Sequence, residues 1–119
     1  MKVCIPSLGN RGLEEEVSQH FGRAPNFTIL NTQTNEVKII ENKSEHFGGV
    51  ESSPDLIAKE GADTVLCSSL GPRAIDMFEQ LGIRVYVGAG GIVKDAIHAF
   101  QEGRLQEATN ENACKNHRH

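Results

Sequence analysis

The chain has 119 residues, 38% apolar and 24% charged, with 12 lysines and arginines against 16 aspartates and glutamates for a net charge of −4. That length supports one hydrophobic core and argues against a two-domain enzyme, and the absence of a basic run argues against nucleic acid or an anionic membrane as partner. Three cysteines at irregular spacing (Cys4, Cys67 and Cys114) suit a reducing compartment. The apolar start, broken at Pro6, is too short for a signal peptide, so a cytoplasmic location is expected.

Taken in chain order, short apolar runs predict strands at residues 2–6, 26–31, 36–41, 64–67 and 84–87. The polar link Thr32-Gln33-Thr34-Asn35 makes the second and third an antiparallel hairpin. Between the first two strands, Leu13, Val17 and Phe21 fit one helical face, for a helix or only a turn or two. Three further helices have recognisable ends. The first opens at an N-cap Ser53 followed by Pro54, carries Leu56 and Ile57 inward and stops at Gly61. The second opens at Gly71-Pro72, buries Ile75, Phe78 and Leu81 and stops at Gly82. The third follows Gly90-Gly91, presents Val93, Ala96, Ile97 and Phe100 on one face and stops at Gly103. The order β-β-β-α-β-α-β-α reads as one α/β domain over residues 1–108 with a mixed sheet, followed by a polar, flexible tail at 109–119. A monomer is the default expectation, since one core accounts for the apolar helix faces.

Ligands of open α/β sheets bind at the carboxyl ends of the parallel strands. Two such ends carry small residues feeding helix starts: Cys67-Ser68-Ser69-Leu70-Gly71-Pro72-Arg73, and Gly88-Ala89-Gly90-Gly91. Backbone N–H groups there favour an anion, although glycine and serine also simply make tight turns. The stretch Ser18-Gln19-His20-Phe21-Gly22-Arg23-Ala24-Pro25 places an imidazole, able to ligate a soft metal, three residues from a guanidinium. His46 lies in a second glycine-flanked loop, and Cys114, His117 and His119 form a C-x-x-H-x-H run open to zinc, nickel or a cluster iron. Cys67, beside a helix start, is either a reactive thiol or a buried one, and Cys4 is read as core. No P-loop, nicotinamide fingerprint or Ser-His-Asp order is present, so nothing announces catalysis.

At His20-Phe21-Gly22-Arg23-Ala24-Pro25, Ser68-Ser69-Leu70-Gly71-Pro72-Arg73-Ala74 and the run from Gly82 to Gly91, the sequence closely resembles the dinitrogenase iron-molybdenum cofactor family. This is the NifX-like domain found also at the end of NifB and in nitrogenase accessory factors, and the resemblance covers about residues 1–105. It implies an RNase H-like three-layer α/β/α fold whose five-stranded mixed sheet has strand 2 antiparallel to the rest. It also implies a non-enzymatic carrier of an iron-sulfur-based cluster, with or without molybdenum, working with cluster-assembly proteins. By position, His20 would ligate the cluster and Arg23 would pair with its charge. Ser69, Gly71, Gly90 and Gly91 would line an anion-facing floor. His46 or Cys114 could add ligands to His20. The readings that stay open beside this one are an enzyme or sensor for a small anionic metabolite with Cys67 as nucleophile, and a zinc-binding regulatory domain using Cys114, His117 and His119.

Overall fold

The structure is a computed structural model that describes residues 1–43 and 52–109. Strands β1 (Lys2–Ser7), β2 (Asn26–Asn31), β3 (Val37–Glu41), β4 (Thr64–Cys67), β5 (Arg84–Val87) and β6 (Gln106–Ala108) form one sheet in the order β3-β2-β1-β4-β5-β6. Helices α1 (Ser53–Lys59), α2 (Pro72–Gln80) and α3 (Val93–Gln101) complete the fold. The β1–β4 and β4–β5 pairs are parallel, and the β1–β2, β2–β3 and β5–β6 pairs are antiparallel. The expectation of a five-stranded, RNase H-like sheet with only strand 2 reversed is therefore corrected: the sheet has six strands, and β6 runs against its one neighbour, β5, as β2 runs against β1 and β3. Physically, β6 pairs its backbone with the open side of β5, an edge that would otherwise expose unpaired N–H and C=O groups.

The alternation of side chains along β1 sorts the core into two layers. Cys4 points with Phe27, Ile57, Val65, Cys67, Phe78 and Val85 to the face covered by α1 and α2. Val3 and Ile5 point with Leu30, Leu66, Val93, Ala96 and Ile97 to the face covered by α3. The result is a three-layer α/β arrangement. A central strand buried on both faces is continuously apolar for this reason.

Of the two readings of the stretch between the first two strands, a helix or only a turn or two, the second holds. Gly12–Glu14 and Phe21–Arg23 are single 3-10 turns, separated by bridging pairs Ser7↔Val17 and Glu16↔Ile92. Val17 and Leu13 pack on the α3 face and Phe21 on the opposite face, a division that one helix could not make. At α1 the cap moves by one residue. Ser52, not Ser53, is the N-cap, its Oγ accepting the Asp55 N–H at 3.2 Å. Leu81, expected in the core, is 40% exposed just past the end of α2.

Chain direction reverses its sense of travel at β1 and β4: from β1 the chain moves out to β2 and β3, from β4 to β5 and β6. Recorded β1–β4 pairing stops at Cys4↔Val65. Two residues on, Pro6 has no N–H with which to extend it, so the two central strands part toward their carboxyl ends. The loops leaving that edge form the candidate site.

Candidate functional site

The carboxyl-edge loops are joined to one another by main-chain bonds. Ser18 N–H donates to Pro6 O at 2.9 Å, Val17 N–H to Gly91 O at 2.9 Å and Val93 N–H to Glu15 O at 2.8 Å. On the β4 side, Gly88 N–H donates to Ser68 O and Ala89 N–H to Cys67 O, both at 3.0 Å, while Ser68 Oγ donates to Ala89 O at 2.7 Å. The loops after β1, β4 and β5 thus make one rim, with the turn bearing His20 at its centre.

Within that turn the motif residues divide their work. Ser18 Oγ donates to His20 O at 3.2 Å and accepts the His20 N–H at 3.3 Å, which fixes the backbone and leaves the imidazole exposed. The imidazole makes no hydrogen bond or ion pair among the described residues. Phe21 turns inward, 6% exposed, its ring 5.3 Å from that of Phe27 and 5.5 Å edge-on to Phe78. Arg23 is exposed at the end of the turn and is not without a partner.

Two clefts flank this turn. The first, about 550 Å³, takes His20 and Gly91 together with Glu16 and Asp95. Its lining is acidic. Asp95 Oδ2 accepts the Ile92 N–H at 3.3 Å and so occupies part of the start of α3. Gly91 has a reason in the fold itself: its φ is +71°, and a Cβ there would lie 2.8 Å from Asp95 Oδ2. The second cleft, about 410 Å³, lies between the Phe21–Arg23 turn and the starts of α1 and α2, and is lined by Gly22, Gly71 and Arg73 over Phe21, Leu70 and Met77. Arg73, present in the 67–73 segment but given no role from sequence, is exposed and has no hydrogen-bond or ion-pair partner among the described residues. Gly71 caps α2 without any side-chain hydrogen bond.

Ser69 and Gly90 are exposed on the rim but line neither cleft beside the His20 turn; Gly90 belongs to a third, which runs along α3 from Asp95 to Glu102. His46, Cys114, His117 and His119 lie outside the described residues. Among the described residues no group of three or more His, Cys, Asp or Glu side chains could hold a metal ion. Cys67 is not the activated thiol considered above. It is 1% exposed, burial pushes its thiol up to about 12, and its Sγ lies 3.8 Å from Tyr86 O. Cys4 is raised further, first by burial and then by the nearby Cys67. No helix of the described residues is long and apolar enough to cross a membrane.

This α/β scaffold, with its rim at the carboxyl edge, has known counterparts. The chain belongs to the dinitrogenase iron-molybdenum cofactor family, whose model matches residues 1–103. An uncharacterized protein of Methanocaldococcus jannaschii is 35% identical over 112 residues, spanning 90% of this chain and 91% of its own length. A putative NifB protein from Thermotoga has a similar structure, with a TM-score of 0.73 at 32% identity over 89% of this chain and 91% of its own. The apo form of the orange protein from Desulfovibrio gigas gives 0.79 at 25% identity over 90% and 92%.

Proposed function

We propose that this protein is a non-enzymatic carrier of an iron-sulfur-based metallocofactor, with or without molybdenum, taken up at the carboxyl-edge rim and passed to cluster-assembly proteins. Family membership and the likeness to a putative NifB protein and to the orange protein support a role in cofactor assembly or delivery. The single observation that carries the reading to a residue is His20, whose imidazole stands unengaged at a cleft while its backbone is held by Ser18. Imidazole suits iron, and both described thiols are sealed in the core, so thiolate ligation from Cys4 or Cys67 plays no part. A cargo held by one imidazole beside Gly91, with Arg23, Ser69, Gly71 and Gly90 on the rim outside that cleft, is held by few contacts and so reversibly, as delivery requires.

The test is iron, acid-labile sulfide, molybdenum and zinc content, with a visible spectrum, on protein purified anaerobically from iron-replete cells. Iron and sulfide with broad visible absorption are expected, falling at least several-fold in His20→Ala with no change in thermal midpoint. A colourless protein that also resists reconstitution would overturn the carrier reading. Zinc alone would move attention to His46, Cys114, His117 and His119.

A further inference from the structure

The turn that carries His20 and Arg23 ends where regular structure cannot finish it. Arg23 N–H donates to His20 O at 3.2 Å and Ala24 N–H to Phe21 O at 3.3 Å, and there the single 3-10 turn runs out. The carbonyls that follow, from Gly22 onward, have no further N–H of the turn to accept. Next comes Pro25, whose carbonyl accepts the Asn42 N–H at 3.0 Å but whose ring nitrogen has no hydrogen to return. The β2–β3 ladder starts one residue later, at Asn26 opposite Glu41.

Asn42 fills this gap with its side chain. It follows β3 directly and is 6% exposed, and its Nδ2 donates to Gly22 O at 3.2 Å and to Ala24 O at 2.9 Å. Both acceptors are carbonyl oxygens, so only the NH2 end of the amide can serve, and both its hydrogens go to the turn. With the main-chain bond to Pro25, one residue at the end of β3 holds three carbonyls between residues 22 and 25. Ser18 grips the other end of the turn at the His20 carbonyl and N–H, and Phe21 anchors it from beneath.

We infer that Asn42 is a positioning residue of the rim, fixing the direction in which the turn presents Arg23 and the His20 imidazole. The link to His20 is short: its carbonyl accepts the N–H of Arg23, which lies between the two residues whose carbonyls the Asn42 side chain holds. Asn42 lines neither cleft beside the turn, so it acts through the turn and not on a cargo. An aspartate of the same shape would aim a carboxylate oxygen at two carbonyl oxygens, and an apolar residue would leave both carbonyls unpaired. That the turn's direction matters to a cargo rests on the carrier reading; that Asn42 sets it rests on these hydrogen bonds alone.

Asn42→Asp in the full chain, nearly isosteric but without the two donors, tests this by NMR. At neutral pH the Arg23 and Ala24 amides should exchange at least tenfold faster than in the wild type, and the His20 ring resonances should shift, while the amides of β1, β4 and β5 keep their protection. Two facing carbonyls disfavour the charged form of the introduced carboxyl, so its Cγ resonance should titrate above about 3.9, the ordinary aspartate value. As pH falls through that midpoint the carboxyl regains a donor, and the turn amides should move back toward their wild-type shifts. Iron and sulfide loading at neutral pH should fall at least several-fold. Asn42→Ser, an uncharged loss of at least one donor, stands in if Asn42→Asp does not fold. Wild-type exchange at Arg23 and Ala24, exchange raised equally through the whole sheet, or full loading despite a shifted turn would overturn the inference. A wild type that carries no iron, with a turn that responds as described, would sink the carrier reading alone and leave the role of Asn42 in the turn standing.

Discussion

His20 and Phe21 are adjacent in sequence and opposite in consequence. One is an exposed imidazole at a cleft; the other closes a cluster with Phe27 and Phe78 beneath the turn. Removing the Phe21 ring should cost about 3–5 kcal/mol, the usual range for a buried phenylalanine cut to alanine. Urea denaturation of Phe21→Ala should show that loss while His20→Ala keeps the wild-type midpoint. An equal, small effect from both would mean that the turn is not anchored by its aromatic residue. The motif was legible as a unit, but spacing alone does not say which of its side chains faces the core. Arg73 was given no site role because a single arginine at a helix start is ordinary in sequence; only its place in a cleft with Gly22 and Gly71 and its lack of a partner among the described residues mark it.

Among the elements, the strands and helices of the second half were legible because each is bounded by glycine or proline and carries an apolar period. The failures have physical causes. Strand β6, Gln106–Ala108, is polar and mostly exposed; it is specified by the open side of β5 and not by its own residues. The loop after β1 imitates a helical period because Leu13, Val17 and Phe21 each reach a core, though not the same one. What organises that loop is Glu15. Its carboxylate accepts from Arg11 Nε and Nη2 at 3.3 Å and from the Glu16 N–H at 2.9 Å, and it passes so close to Gly9 that a Cβ there would lie 2.5 Å away. The Arg11 hydrogen bond, then the Glu16 N–H, hold its pKa below the ordinary value. A carboxylate with a lowered folded pKa stabilises the fold at neutral pH, and that contribution is lost as pH falls through the folded value. The Glu16 and Arg11 amide resonances should therefore titrate with a midpoint below about 4.3, the ordinary glutamate value. In Glu15→Gln the Val17 and Val93 amides, which tie the loop to α3, should lose protection at all pH values. A Glu16 amide midpoint at the ordinary value would show that the carboxylate is not engaged.

On the scale of the whole molecule, strand direction decides which parts of the chain start near the rim. Strand β5 ends at the carboxyl edge, and β6, pairing Gln106 with Val87 and Ala108 with Val85, carries the chain back to the amino edge. There Thr109 lines a cleft with Gly82 and Arg84, at the far ends of α2 and β5 from the rim. A ligand from Cys114, His117 or His119 would have to return the length of the sheet to join His20. Truncation after Thr109 is accordingly expected to leave anaerobic iron and sulfide loading unchanged. Loading lost on truncation, in protein of unchanged thermal midpoint, would show that the tail supplies ligands after all.

The main-chain bonds that join the loops after β1, β4 and β5 have a consequence in time. They tie Val17 to Gly91, Val93 to Glu15 and Gly88 to Ser68 through the protein's own main chain, so the fold itself holds the rim together. A preorganised receptor does not fold to load or unfold to release. In a carrier of the kind proposed, the dwell time of a cargo would then be set by the strength of its own few contacts, and the pace of hand-over by the recipient that competes for them.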